Sequence, residues 1–266
     1  MEVVGSIYGT EMPTLWFPLN STSQLYVGGL VYSTADGVET LGTASGVADT
    51  TGKKVPLGVI IGTSNDVPIF SATSNSDTIT GVITQAAQVA RKNFGVEGDD
   101  PKGDPQAFVK VALIGPDTII KAPLYNAALG TAPTVQTVTT GSTDGLSYTA
   151  NATDVAGVAD LATAYCRSGA NAGLYRITDD ASTTAITNDR AFPQDIAIGD
   201  TFIRVPLRKR GLSYVQTDTN ALWLNVAAAP ATDYWVVNTL ELNLAEAGRE
   251  YALFTFTADH FALARA

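Results

Sequence analysis

The chain has 266 residues, 45% of them hydrophobic and 16% charged, and carries a net charge of −10. That is enough length and apolar content for one large core or two modest ones. The acidic balance argues against nucleic-acid binding, which needs Lys and Arg against phosphate, and no run approaches the roughly 20 apolar residues of a membrane-spanning helix.

Residues 1–24 read as an extended N-terminal arm. Pro13 and Pro18 fix their own φ and oppose regular pairing, and an aromatic pair, Trp16-Phe17, sits between them. Exposed rings on an arm need a docking surface, on the chain itself or on a neighbour. The start, Met1-Glu2-Val3-Val4-Gly5-Ser6, has no basic segment and no long apolar run, so it does not read as a secretory signal. The sequons at Asn20 and Asn151 then read as chance in a Thr-rich chain.

From Gln24 the pattern turns to β. Leu30-Val31-Tyr32-Ser33 and Val38-Glu39-Thr40-Leu41 flank Asp36-Gly37, a hairpin signal. Val55 to Gly62 is a second strand, with Pro56 near its start, where proline is tolerated. Val67 to Phe70 reads as a short edge piece. Residues 80–94 carry Val82, Ile83, Ala86, Ala87, Ala90 and Phe94 at helical spacing, and Val96 to Pro105 follows as an acidic loop. Ala107 to Ile114 is a strand, and Asp117 to Ala122 is expected beside it after the Gly115-Pro116 break.

The Thr/Gly/Ser-rich stretch from Gly130 to Thr149 fits a linker or a loop-and-hairpin, with Asp144-Gly145 marking a turn. A domain boundary is placed there, dividing a β-barrel-like domain (25–129) from a second β-rich domain (130–266). Residues 154–165 fit a short helix capped by Thr153 or Asp154, with strand as the alternative. Thr201 to Arg208, Ala221 to Val226, Tyr234 to Leu244 and Tyr251 to Thr257 read as strands, the last placing Phe254 and Phe256 on one face. The expected fold is therefore mainly β, with antiparallel barrel or sandwich domains, one or two short helices and an extended arm.

Chemistry-bearing residues are scarce. There is one His (His260) and one Cys (Cys166). Histidine is the usual acid–base group near neutral pH and a common metal ligand, so a chain nearly lacking it reads as a surface, not as an enzyme. One Cys excludes an intrachain disulfide, and its apolar neighbours suggest a buried thiol. Thr51-Gly52-Lys53-Lys54 lacks the glycine register and the hydroxyl of a phosphate-binding loop. Glu97, Asp99, Asp100 and Asp104 do not follow the spacing of a calcium loop. His260 has no nucleophile elbow to serve. Trp223, Tyr234 and Trp235 at strand spacing read as core or interface before sugar platform. No catalytic, cofactor or metal site emerges. The charged content is below the roughly 25% of an average domain, so Thr, Ser, Asn and Gly must cover the surface. The one dense basic cluster, Arg204, Arg208, Lys209 and Arg210, suits docking against an acidic partner.

Gly28 to Leu41, returning through Pro56-Leu57-Gly58-Val59-Ile60-Ile61-Gly62, resembles the small β-barrel of tailed-bacteriophage head decoration (cement) proteins: a glycine-led strand, an Asp-Gly turn, a strand, then a Pro-x-Gly-Val strand. The phrases Arg167 to Arg176 and Ala191 to Phe202 are similar in style to phage virion proteins. Simple decoration proteins are shorter, so a second domain lies outside the resemblance. It implies a virion protein, assembled in the host cytoplasm. Such a protein binds the major capsid protein lattice from outside and stabilises the shell, often as a trimer, without nucleic acid, membrane or cofactor. Trp16, Phe17, Arg204, Arg208, Lys209 and Arg210 are the candidate docking residues. A tail or fibre component, or a carbohydrate-binding virion protein, is the alternative; a carboxylate-based hydrolase is a more distant one.

Overall fold

Short alternating runs broken by Gly, Pro, Asn and Asp have the two-residue period of strands, and strands are what the chain forms. The computed structural model describes residues 1–9, 11–18, 24–34, 37–41, 55–63, 82–84, 108–125, 133, 135–141, 144–150, 163–179, 185–217, 221–226 and 234–258. Among them are nineteen strands and one 3₁₀ turn, Gly169–Asn171. The fold is mainly β, as expected. The chain divides into two compact units. One comprises Met1–Ile120, Thr219–Leu222 and Phe256–Ala266; the other comprises Lys121–Asp218 and Trp223–Thr255.

The first unit holds β1 (Glu2–Ser6), β2 (Thr14–Pro18), β3 (Gln24–Tyr26), β4 (Leu30–Thr34), β5 (Gly37–Thr40), β6 (Gly58–Thr63), β7 (Val82–Thr84) and β8 (Phe108–Leu113). Five of them form an open sheet in the order β2-β8-β6-β4-β5, and β3 pairs with β7. The Asp-Gly signal is met by an antiparallel β4–β5 hairpin with Thr34 opposite Gly37. An aliphatic core of Leu25, Val31, Val38, Leu57, Ile60, Val109, Val111 and Leu113 lies under the sheet, with Phe17 packed against it. Gly58 sits where β6 crosses β8 closely. A β-carbon there would collide with the Ala112 carbonyl and the Val111 side chain, so the crossing requires glycine.

The second unit is built from β9 (Thr118–Tyr125), which the unit boundary cuts, β10 (Val135–Thr140), β11 (Ser147–Ala150), β12 (Thr163–Cys166), β13 (Gly173–Asp179), β14 (Ala185–Asn188), β15 (Thr201–Val205), β16 (Gly211–Thr217), β17 (Leu224–Asn225), β18 (Trp235–Asn243) and β19 (Tyr251–Phe256). The order β10-β11-β14-β13-β12-β15 closes on itself as a barrel. Closure leaves no free edge. Register decides what fills the lumen. Phe202 lies opposite Gln136 on one side and Cys166 on the other. Tyr148 stacks on Phe202 with centroids 4.2 Å apart, Phe192 meets Phe202 edge-on at 5.8 Å, and Phe192 tilts against Tyr175 at 4.5 Å. Each such ring pair adds about 0.5–1.5 kcal/mol beyond its area burial. A second sheet runs β9-β17-β16-β18-β19, and β9 also pairs with β19. Trp235, Val215, Val237, Leu224 and Phe254 are buried there.

Several expectations change. Residues 80–94 were expected as a helix; Val82–Thr84 is strand β7, and the rest lies outside the described residues. Thr163–Cys166 is strand, the alternative for residues 154–165, of which the earlier part also lies outside them. The Thr-rich stretch takes the hairpin alternative: β10 and β11 pair antiparallel within the barrel. Asp144 holds the turn, its Oδ1 accepting the Leu146 and Ser147 amides at 2.7 and 2.9 Å. The first compact unit runs to Ile120 and also takes in Thr219–Leu222 and the segment from Phe256. The strand after Gly115-Pro116 does not pair with β8 but enters a different sheet. The Gly115 amide donates to Thr118 Oγ1 at 2.8 Å and the Thr118 amide to the Gly115 carbonyl at 3.2 Å. This turn redirects the chain instead of folding it back. The N-terminal arm is itself partly strand, as β1 and β2.

Candidate functional site

Two surfaces collect the residues singled out in the sequence. The first is β2. It is the last strand of its sheet and pairs with β8 antiparallel, Trp16 opposite Lys110 and Phe17 opposite Val109. Strand alternation sends the two aromatics to opposite faces. Phe17 goes down onto the aliphatic core, while Trp16 stays 49% exposed and Leu15 52% exposed. A terminal strand offering backbone groups and large apolar side chains is the geometry by which sheets add a partner strand.

The second surface is cationic. β15 ends at Val205 and the chain reaches Gly211, whose φ of +98° allows the entry into β16. Between them Leu207 is buried, and its carbonyl accepts the Thr163 hydroxyl at 2.7 Å. The Arg208 amide donates to Ser213 Oγ at 2.9 Å, and Ser213 Oγ lies 2.9 Å from Thr239 Oγ1. The loop is thus tied on both sides, and its side chains Arg208, Lys209 and Arg210 are exposed. With Thr163, Arg176 and Asp189 they line an open cleft of about 510 Å³. Asp189 Oδ1 accepts the Arg176 amide at 3.1 Å, and the Asp189 amide donates to the Arg176 carbonyl at 2.9 Å.

Arg204 does not belong to this surface. It is 3% exposed and lies opposite Ala164 on β12. It has the parity of Phe202, so it faces the lumen with Tyr148. Burial pushes the Tyr148 phenol far above its ordinary value, the positive charge of Arg204 pulling it part of the way back. Nearness in the sequence grouped Arg204 with Arg208, Lys209 and Arg210, but it lies within β15 and they lie beyond its end. Residues 202–205 are in fact buried on both faces. Arg176 and Asp189 carried no sequence signal; only the pairing of β12, β13 and β14 brings them to the loop.

Other candidates resolve plainly. Cys166 is buried, as expected. Burial raises its thiol pKa, and hydrogen bonding to Ser168 only partly offsets this, so it makes a poor nucleophile. Trp235 is core. Trp223 stacks on Tyr125 at 5.4 Å, and Tyr234 tilts against the exposed Tyr214 at 4.6 Å. Glu97, Asp99, Asp100, Asp104, His260 and the segment 51–54 lie outside the described residues. Among the described residues no group of three or more His, Cys, Asp or Glu is placed to hold a metal ion. No described helix is long and apolar enough to cross a membrane, which leaves strand crossings unaddressed. No family model, curated protein or solved structure matches the chain.

Proposed function

We propose that the chain is a virion structural protein, a decoration or cement protein that binds the outer surface of a tailed-phage head and stabilises the shell. The observation that carries this reading is the terminal strand β2, with Trp16 and Leu15 exposed beside Phe17 anchored in the core. Trp is the side chain most often found at the energetic centre of protein interfaces. A strand edge supplies main-chain hydrogen bonds of no side-chain specificity, suited to repeating contacts. A surface with few charges and many hydroxyls fits a protein packed among neighbours. The resemblance of Gly28 to Leu41 to decoration barrels points the same way. One such contact need only be of ordinary size, because repetition over a lattice multiplies its effect. Self-association as a trimer fits three-fold positions of such a lattice.

Because β2 is part of the sheet, removing residues 1–24 would harm the fold along with the attachment. The test is the copy number in purified virions of the source, by quantitative mass spectrometry against the major shell protein. A ratio near one, or another simple lattice fraction, supports decoration. A few copies per particle would move the protein to tail or fibre, where the exposed Tyr214, with the half-buried Tyr234 tilted against it, becomes a candidate glycan platform. Absence from virions would overturn the proposal.

A further inference from the structure

The cationic cleft is independent of β2 and of the virion reading. Four cations, Arg176, Arg208, Lys209 and Arg210, face one carboxylate, Asp189, around about 510 Å³, on a chain whose net charge is −10. The ion pairs found among the described residues, Arg167–Glu250 and Arg249–Glu246, use none of the four. Asp189 is already engaged with the Arg176 amide. Like charges gathered this closely repel one another and favour a counter-anion.

The cluster does not relax by splaying its backbone. The buried Leu207 side chain anchors the loop, the Thr163 hydroxyl holds its carbonyl, and Ser213 holds the next amide. Arg176 comes from β13, which lies beyond β12 from β15 and is fixed by its pairing with β12 and β14. A charged cluster mounted on a tied frame is the arrangement that binds without first losing conformational freedom.

We propose that this cleft is a binding site for a compact polyvalent oxyanion, either a phosphate ester or a di- or tricarboxylate. The guanidinium groups of Arg176, Arg208 and Arg210 match such oxygens in bidentate fashion, and Lys209 adds a point charge. The volume lies within the range of small-ligand sites. The acidity of the whole chain works against a long polyanion, whose charges would extend over repelling surface, whereas a small anion senses mainly the field within a Debye length of about 8–10 Å.

The test is calorimetric titration of the full chain with pyrophosphate and with citrate, each against sodium chloride of matched ionic strength. One saturable site is expected. Tighter binding of pyrophosphate identifies phosphate chemistry, and tighter binding of citrate identifies carboxylate chemistry. The exposed double variant Arg208→Glu/Arg210→Glu, with an unfolding midpoint like the parent's, should weaken binding by at least about tenfold. Arg176→Gln, on a different strand, should weaken it less. Heat no greater than the chloride control, or equal affinity in the charge-reversed variant, would overturn the site. Tighter binding of a short DNA duplex than of either small anion at physiological salt would overturn the compact ligand in favour of nucleic acid.

Discussion

The open sheet of the first unit and the closed barrel of the second are made from similar strands, yet they meet water differently. Among the described residues the open sheet ends at β2 and β5, and Leu15 and Trp16 on β2 are exposed. The barrel has no border, so it offers no strand edge for a partner to pair with. Its cationic cleft is formed where the β15–β16 loop meets β12, β13 and Asp189. The cores differ to match. The open sheet rests on Val, Leu and Ile, which suit a flat pleated face. The barrel lumen is filled by Tyr148, Tyr175, Phe192 and Phe202 in mutual contact. A closed lumen of this kind leaves little room to relax around a lost side chain.

That difference can be broken by substitution. Phe202→Ala removes a ring touching Tyr148 and Phe192, and should cost about 3–5 kcal/mol in urea unfolding. Ile60→Val in the open sheet should cost about 0.5–1.5 kcal/mol. Equal losses would mean that the lumen collapses around the gap and that closure adds no rigidity.

Glu250→Gln tests a buried pair in the second unit. Arg167 Nη2 lies 2.6 Å from Glu250 Oε1 and also donates to the Leu244 carbonyl at 2.8 Å. Taking away the carboxylate leaves a nearly buried guanidinium charge, a loss of about 3 kcal/mol. Glu246→Gln, facing the exposed Arg249 at 3.6 Å, should change stability by less than about 0.5 kcal/mol. A similar loss in both variants would refute the distinction.

Gly58→Ala sharpens the view of the open sheet. The added methyl group must displace β6 from β8, so about 1–3 kcal/mol is expected, with weakened amide-exchange protection at Val111 and Ala112. Unchanged protection would show that the crossing is looser than described.

The smallest effect belongs to Tyr148→Phe. The Tyr148 hydroxyl is buried with no hydrogen-bond partner, so its removal should stay within about 1 kcal/mol near neutral pH. The folded-state pKa is raised, so the unfolded chain releases this proton first. Stability is then complete below the ordinary phenol value of about 10 and falls as pH rises beyond it. The Phe variant should show a shallower alkaline loss in unfolding free energy. An unaltered slope would show that Tyr148 is not shielded in the native state.

Much of the strand layout was legible locally. The β4–β5 hairpin follows from Asp36-Gly37, and the β10–β11 turn from Asp144-Gly145, because φ preference and side-chain capping act over four residues. Alternation in Tyr251–Phe256 places Phe254 and Phe256 together, and both are buried. The helical spacing of 80–94 misled at Val82–Thr84, where pairing with Leu25 and its neighbours wins over periodicity. Of the docking residues, Trp16 is exposed while Phe17 packs against the core, a split that only the tertiary structure settles, since Leu15 on the face of Phe17 is exposed as well.

The sequence by itself determined that this is a β protein with few ionisable groups, where many of its turns fall, and that Arg208, Lys209 and Arg210 form one basic cluster. Those properties depend on neighbours within a few residues. Only the tertiary structure decided that β9 leaves β8 for another sheet, that Arg204 turns into a lumen, and that Thr163, Arg176 and Asp189 join the loop cations. A two-residue period says which side chains share a face of a strand. Which face becomes the inside, and which distant strand lies alongside, depends on register and closure across the whole barrel.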